Sequence, residues 1–244
     1  MAIAKTRWSR FNPAPMDLRI WLKRELNKGK ATAPHPALQQ VIRTTPYEWA
    51  TKYTRTYNEH WAEEGRPAPY EPFPDWVYVQ ALFRLLQIKR IVLVEKSRDM
   101  MVSWICVAYL TWEAMRVPRR GVIFQTQKED KAVQLIDYAK CLYGNQPLWL
   151  QENFPLVKPA DKQAGLELQF ANGSYLVGIP GGANQIRSYH PWGYLNDESS
   201  FQPDAGECYN EALSAVKGKI IFNSSAGPGW YADFRHDIVR NEED

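Results

Sequence analysis

The apolar residues in the middle of the chain follow two spacings in succession, and these predict a strand and then a helix. Residues 91–94 form a short continuous apolar run, mostly β-branched, which is typical of a strand buried on both faces. From Met100 onward, apolar residues recur three and four positions apart, and no proline occurs before Pro118, so a helix is predicted. Charged and polar residues occupy 95–99. The predicted order is strand, polar turn and helix.

The same order recurs downstream, where apolar strands alternate with amphipathic helical patterns. Residues 166–179 also contain two alternating strands around Asn172 and Gly173, a strong hairpin signal. The succession of strands and helices predicts a mainly parallel sheet that is covered by helices on both faces, an α/β fold. The other predicted elements are strands at 121–125, 192–195 and 219–225 and helices at 126–143 and 204–216.

A proline-dense run at 67–74 separates this α/β core from the residues before it, because proline holds the backbone extended or turned. Before the run, apolar residues at helical spacing predict helices at 18–26 and 46–62. After it, Asp75 is predicted to cap a helix that ends near Lys89. The predicted organisation is an N-terminal helical extension at 1–74, a core at 75–226 and a short C-terminal lid or linker at 227–244.

Composition narrows the class of protein without identifying it. With 244 residues, of which 45% are hydrophobic and 23% charged, the chain is ordinary for a soluble globular protein. Its three cysteines lie far apart, which favours reduced thiols in a cytoplasmic protein over a disulfide framework or a zinc site. No apolar run reaches the length of a membrane span. The formal charge of +3 is too small to establish a nucleic-acid partner.

The polar turn before the central helix carries the chemistry that a polyphosphate requires. Backbone N–H groups and the positive end of the helix dipole are predicted to lie beside Lys96 and Arg98. The usual pattern G-x-x-x-x-G-K-[ST] is absent: aligned on Ser103, it places its second glycine at Met101 and its lysine at Val102. Lys96 enters from the first turn of the loop instead, and its ammonium can still reach the β and γ phosphates. Ser103 keeps the usual role of offering a hydroxyl to Mg²⁺.

Two adjacent carboxylates follow the strand predicted at 192–195. Asp197 is suited to hold the Mg²⁺ shell, and Glu198 can orient and deprotonate a water molecule that faces the γ-phosphate. An Asp-Glu pair after a strand is by itself more often the solvated start of a helix. The nucleotide-hydrolase interpretation gains support because a phosphate-loop candidate precedes the pair and a strand with a polar end at 223–225 follows it.

The polar turn, the Asp-Glu pair and the polar strand end at 223–225 together resemble motifs of the ATPase domain of the large terminase subunit, the DNA-packaging motor of tailed bacteriophages. In that family the Walker A motif often has its lysine at the front, in the form K-S-x-x-x-x-x-S. Lys96, Ser97 and Ser103 match this form. The family's Walker B motif, an apolar strand followed by D-E and small residues, is matched by YLNDESSF at 194–201.

The resemblance extends to three further features of the family. Its coupling motif, an apolar strand that ends in a small hydroxyl-bearing triplet, is matched by Asn223, Ser224 and Ser225. A glutamine that contacts adenine upstream of the phosphate loop is matched by Gln80. The family also carries an arginine before Walker B that acts on the ATP of the neighbouring subunit, and Arg187 is its counterpart by position.

The resemblance implies a P-loop NTPase fold of the ASCE type and a Mg²⁺-dependent ATPase that drives double-stranded DNA into a procapsid. ATP and Mg²⁺ are the implied cofactors. The implied catalytic residues are Lys96, Arg98, Arg187 and Glu198, the nucleotide-binding residues are Gln80, Lys96, Ser97, Arg98, Met101, Val102 and Ser103, and the metal ligands are Ser103 and Asp197. The implied partners are double-stranded DNA, the portal protein, the small terminase subunit and further copies of the chain in a ring, without a membrane, in the host cytoplasm.

The chain departs from the family in two respects. Met100 and Met101 stand where the phosphate loop often has a glycine. The sequence ends at 244, 19 residues after Ser225, whereas the family continues into an RNase H-like nuclease domain. We therefore expect the motor half alone.

Two alternative functions stay open. A helicase-like, nucleic-acid-stimulated ATPase has the same broad architecture, but it requires a second core for which the chain has no room. A hydrolysis-dead scaffold module keeps the fold without the reaction, and the presence of Glu198 argues against it.

Overall fold

The structure, a computed structural model, describes residues 44–243. The helix predicted at 18–26 and most of the N-terminal extension lie outside the described residues. The strands are β1 (Arg55–Tyr57), β2 (Tyr70–Pro72), β3 (Ile91–Lys96), β4 (Gly121–Gln125), β5 (Glu167–Gln169), β6 (Tyr175–Ile179), β7 (Gly193–Asp197) and β8 (Lys219–Ser225). The helices are α1 (Pro46–Tyr53), α2 (Val77–Ile88), α3 (Val102–Arg116), α4 (Glu129–Gly144), α5 (Leu148–Asn153), α6 (Asn184–Arg187), α7 (Ala205–Ala215) and α8 (Trp230–Glu243), with 3-10 turns at Ala160–Lys162 and Ser199–Phe201.

The central sheet contains six strands in the order β3-β8-β7-β4-β6-β5. The first five run parallel, and the edge strand β5 pairs antiparallel with β6 through the hairpin predicted around Asn172 and Gly173. This confirms the predicted mainly parallel α/β sheet. Strand β8 lies between β3, which leads into the phosphate loop, and β7, which leads into the two carboxylates.

Helices cover both faces of the sheet, so its central strands are buried on both sides. On β4, Val122 and Phe124 belong to the apolar cluster that includes α1, α2, α3 and α4, whereas Ile123 belongs to the cluster that includes α7 and Tyr231 of α8. Helix α3 is buried along most of its length, as its apolar residues on every side require. Within residues 44–243, none of the helices combines the length and the apolar character needed to span a bilayer.

The helix predicted at 46–62 ends at Tyr53, so the second half of that prediction is wrong. Thr45 and Glu48 form a capping box at the start of α1, and Thr54 already has extended backbone. The chain then forms β1, which pairs antiparallel with β2 from the proline-dense run. This partner lies beyond the window in which helical spacing is read, and the pairing overrides the local pattern.

The N-cap predicted at Asp75 is also wrong. Helix α2 begins at Val77, and Trp76 occupies its N-cap without a side-chain hydrogen bond. Asp75 instead accepts a hydrogen bond from the hydroxyl of Tyr47, and this contact is the main reason that the pKa of Tyr47 rises to about 12. Asp75 therefore ties the start of α2 to α1.

A buried polar network connects β4 with β7 and with the turn that follows β7. The Tyr194 hydroxyl donates to Gln125 Oε1, and Asn196 Nδ2 donates to the Tyr194 hydroxyl at 2.9 Å. Gln202 Nε2 donates to Asn196 Oδ1 at 2.9 Å and to the Asp197 carbonyl at 2.7 Å. Because a satisfied network in a low-dielectric interior favours one geometry, these amides help to fix the backbone at the end of β7.

The packing of α4 on β6 predicts that Gly178 does not tolerate a side chain. A Cβ atom on Gly178 lies 2.9 Å from the Ala132 carbonyl oxygen, and a helix backbone cannot move aside cheaply. Gly178→Ala should lower the free energy of unfolding by about 1–3 kcal/mol in urea denaturation. Gly144→Ala is the matched control, because a Cβ there meets nothing within 4 Å. The control should be neutral or stabilising by up to about 1 kcal/mol, and equal losses in both variants would contradict this packing.

The buried network predicts a second change in stability. Gln202→Ala removes the buried hydrogen bonds to the Asp197 carbonyl and to the Asn196 side chain, so the free energy of unfolding should fall by about 1–3 kcal/mol. Gln134→Ala removes an exposed amide that contacts Glu59 and should change the same quantity by less than about 0.5 kcal/mol. The network does not stabilise the sheet if the two variants unfold at the same urea concentration.

Candidate active site

Lys96 and Glu198 lie 102 positions apart in the sequence and form an ion pair at the carboxyl edge of the sheet. Lys96 Nζ donates to Glu198 Oε1 at 2.8 Å. The lysine ends β3 and the glutamate follows β7, and β8 between them holds both strand ends at the same edge. The lysine side chain is 10% exposed and that of the glutamate 41%. The structure thus brings together the phosphate-loop lysine and the candidate base.

A second side-chain pair, Ser103 with Asp197, joins the same two motifs. Ser103 Oγ, in the first turn of α3, donates to Asp197 Oδ1 at 2.9 Å. Burial is the largest influence on Asp197 and raises the pKa of its carboxyl to about 6, although the bond from Ser103 acts in the opposite direction. A carboxylate held in this environment is stabilised by any cation that reaches it.

The donor set of Ser103 and Asp197 fits Mg²⁺. Both offer hard oxygen atoms, and Mg²⁺ is usually held by one or two protein ligands together with substrate phosphates and water. No group of three or more His, Cys, Asp or Glu side chains suited to a metal occurs among residues 44–243. A site that phosphates and water complete requires no such group.

The candidate phosphate loop, residues 96–103, reaches its shape through unusual backbone conformations. Asp99 and Met101 have φ values of 62° and 54°, and Glu198 has 57°. A left-handed conformation costs a non-glycine residue about 1–2 kcal/mol, and such strain concentrates at functional sites. Met101 occupies the place of the second glycine in the usual pattern, and its left-handed backbone is a conformation that glycine adopts readily.

The loop opens into a cavity of about 440 Å³ beside the lysine. Its lining residues are Glu95, Lys96, Ser97, Arg98, Ser225, Ala226 and Arg235. At the start of α3, Met101 provides no side-chain cap, and the first turn contains no acidic residue. The N–H groups of Val102 and Ser103 are therefore suited to bind an anion. The predicted loop residues Ser97 and Arg98 lie on the wall of this cavity.

The three residues predicted to couple the site to the rest of the chain contact the segment that carries Glu198. Asn223 Oδ1 accepts from the Glu198 N–H at 3.4 Å, and Ser224 Oγ accepts from the Ser200 N–H at 3.0 Å. Ser225 donates its N–H to Glu198 Oε2 at 3.4 Å. Its hydroxyl accepts from Lys96 Nζ at 3.4 Å. The end of β8 thus contacts both partners of the ion pair through Ser225.

Two predicted site residues stand apart from these contacts. Gln80 is exposed on α2, a helix that reaches the phosphate loop through a hydrogen bond of 3.3 Å from the Tyr78 hydroxyl to the Met100 carbonyl. Arg187 ends α6, its side chain is 64% exposed, and it forms an ion pair with Glu211 of α7. The structure brings neither residue into hydrogen-bond contact with Lys96 or Glu198. Their predicted roles toward adenine and toward a neighbouring subunit stay predictions.

Sequence reasoning missed two features near the site. Arg235 lies in the polar helix α8 and lines the cavity, although its position carried no motif. Gln202 holds the carbonyl of Asp197 from five residues further along the chain, and nothing in its neighbourhood marked it. An amide that follows a D-E pair could have been considered as a hydrogen-bond donor to the last carbonyl of the strand.

Comparison with protein-family models and with curated proteins found no match. Among solved structures, the HK97 bacteriophage large terminase is similar, with a TM-score of 0.58 and 10% sequence identity over 82% of this chain and 41% of that protein. The large terminase ATPase domain of Thermus phage P74-26 also matches, with a TM-score of 0.49 and 15% identity over 74% of each chain. This chain thus spans less than half of the HK97 protein. Its α/β fold is that of bacteriophage large terminases, as the resemblance of its sequence motifs implied.

Proposed function

We propose that this chain is a Mg²⁺-dependent ATPase, the motor part of a viral large terminase that translocates double-stranded DNA into a procapsid. One observation carries the proposal. Two motifs about a hundred residues apart meet in two side-chain pairs, Lys96 with Glu198 and Ser103 with Asp197. This is the set of groups that phosphoryl transfer to water requires: a cation, a base and two metal ligands.

Lys96 binds the phosphates in this proposal. Its ammonium is nearly buried and is paired with Glu198. A triphosphate that enters the cavity offers several negative charges in place of one carboxylate, so the ammonium moves its hydrogen bonds to the phosphate oxygens. Arg98 and the N–H groups of Val102 and Ser103 complete the binding site for these oxygens.

Glu198 gains its catalytic role through the same exchange. Once Lys96 binds phosphate, the carboxylate is released to orient a water molecule and to take its proton. The N–H groups of Ser225 and Glu198 itself hold this segment on β8. Ser103 and Asp197 would hold Mg²⁺, and the chemistry that it would supply is neutralisation of the phosphate charge.

The packaging role is the second part of the proposal. It combines the fold shared with the HK97 large terminase and the sequence motifs of that family. On this basis we propose four partners: double-stranded DNA, the portal protein, the small terminase subunit and further copies of the chain in a ring. The proposed location is the host cytoplasm. Asn223, Ser224 and Ser225 are proposed to transmit the state of Glu198 to α8, because β8 lies directly before that helix.

Substitutions of the central ion pair test the hydrolysis. Glu198→Gln should leave the affinity for ATP nearly unchanged and lower kcat by about 10²–10⁴-fold, because the amide keeps the shape and loses the base. Lys96→Ala should weaken ATP binding and turnover together, since its charge faces the phosphates in the ground state and in the transition state. Both are measured by phosphate release and by nucleotide titration.

Glu207→Gln provides the matched control, because Glu207 is an exposed carboxylate on α7. It should leave both the affinity and the rate unchanged. A hydrolysis rate of either active-site variant equal to that of the control would exclude this site. Binding of ATP without any turnover in the unsubstituted chain on its portal would favour the hydrolysis-dead scaffold.

Arg187 is proposed to act on ATP bound by a neighbouring subunit. Its side chain is 64% exposed, and solvent screens the ion pair with Glu211, so the guanidinium can leave it. Such arginines accelerate phosphoryl transfer about 10³–10⁵-fold. In rings assembled on the portal, a mixture of Arg187→Ala and Glu198→Gln subunits should therefore regain activity, because an intact arginine can face an intact glutamate.

A mixture of Lys96→Ala and Glu198→Gln subunits is the control for this experiment. Both substitutions damage a subunit's own site, so their mixture should restore no hydrolysis. If the Arg187 mixture is also no more active than its two components, Arg187 has a local role at Glu211 instead.

A further inference from the structure

One wall of the cavity beside the phosphate loop comes from neither of the two motifs. Arg235 of α8 lines it together with Lys96, Ser97 and Arg98. The guanidinium Nη1 of Arg235 is 2.9 Å from Glu95 Oε2. The cavity therefore has a third cation, which is held by the carboxylate directly before the phosphate-loop lysine.

Aromatic packing fixes the position of helix α8, which carries Arg235, on the face of the sheet that α7 covers. Trp230 and Phe234 stack with ring centroids 4.9 Å apart, and Tyr209 of α7 packs against Phe234 at 4.8 Å. Tyr231 is buried in the same region. The first turns of α8 are thus anchored by aromatic packing, and Arg235, one residue after this cluster, extends to the mouth of the cavity with a side chain that is 45% exposed.

The charges around the cavity favour an anion. Lys96, Arg98 and Arg235 contribute three positive charges, and Glu95 contributes one negative charge among the lining residues. The pair of Arg235 and Glu95 is partly exposed on both sides, and such pairs contribute about 0–1 kcal/mol. An arginine binds a phosphate through two parallel, charge-assisted hydrogen bonds, which are roughly twice as strong as neutral ones. A phosphate in this cavity can therefore displace Glu95.

We propose that Arg235 is a further phosphate-binding residue of the nucleotide site, and that its ion pair with Glu95 is replaced by a phosphate contact when nucleotide binds. This inference rests on the proposed function. Binding of the anion transfers the guanidinium from Glu95 to a phosphate oxygen and joins α8 to the nucleotide. Glu95 then acts as a competitor that lowers the affinity for nucleotide.

The two partners of this pair should have opposite effects on nucleotide affinity. In calorimetric titration of the chain with ADP and with a non-hydrolysable ATP analogue in Mg²⁺, Arg235→Ala should raise Kd by about 10-fold or more, since a hydrogen bond to a charged group is lost. Glu95→Gln should lower Kd by up to about 5-fold, because the exposed ion pair no longer competes. The double variant should bind like Arg235→Ala alone, because the effect of Glu95 passes through the arginine.

A purely structural ion pair gives a different result. In that case both substitutions break the same contact, so they change Kd in the same direction or leave it unchanged, and either result overturns the inference. Arg235→Lys keeps the charge without the planar fork and should fall between Arg235→Ala and the unsubstituted chain. The pair of Arg66 and Glu64 is a matched surface pair, and Arg66→Ala and Glu64→Gln should leave Kd unchanged.

Lys96→Ala separates failure of this inference from failure of the proposed function. A Kd that is unaffected by Lys96→Ala shows that the nucleotide does not bind at this cavity, and the proposed site falls with the inference. A Kd raised by Lys96→Ala but unchanged by Arg235→Ala leaves the ATPase site standing and removes Arg235 from it. Thermal unfolding of each variant checks that Kd is compared between folded proteins.

Discussion

The candidate active site depends on the parallel pairing of β8 between β3 and β7. The register sets Lys96 opposite Ser225 and Asp197 opposite Asn223, so four residues of the candidate site lie at one edge, within two strand spacings of about 4.8 Å each. A slip of one residue would turn a strand's side chains to the opposite face. The two apolar clusters on either side of the sheet prevent such a slip, because alternate residues of each strand belong to different clusters.

The sheet supports a site whose backbone conformations and buried charge are energetically unfavourable by themselves. Asp99, Met101 and Glu198 have left-handed backbones, and Asp197 is a buried carboxylate. Each left-handed residue costs about 1–2 kcal/mol. Met101 shows how the cost is offset: its side chain is partly buried against the core, a contact that the glycine of the usual pattern could not make. The loop therefore obtains a glycine-like shape from tertiary packing instead of from intrinsic backbone freedom.

The parts that were predicted from sequence are those that depend on local pattern. Strands Gly121–Gln125 and Lys219–Ser225 have the predicted bounds, because continuous apolar runs between polar residues specify a buried parallel strand. The role of Asp75 and the end of α1 were decided by partners distant in sequence, Tyr47 and β2, and the local signals were wrong. Gln202 and Arg235 were missed for a related reason. The role of an amide or an arginine depends on the groups that the fold places next to it, and the spacing of residues along the chain does not predict those groups.

Three of the cations that we assign to the phosphates are paired with a glutamate in the structure. The three pairs are Lys96 with Glu198, Arg235 with Glu95 and Arg187 with Glu211. Their cationic side chains are exposed by 10%, 45% and 64%, so solvent screens the lysine pair least and the arginine pairs more. The arginines therefore exchange their partners at little cost, whereas the lysine exchanges only for an anion of higher charge. In the proposed reaction this exchange also releases Glu198, so the base becomes available only when the phosphates that need it are bound.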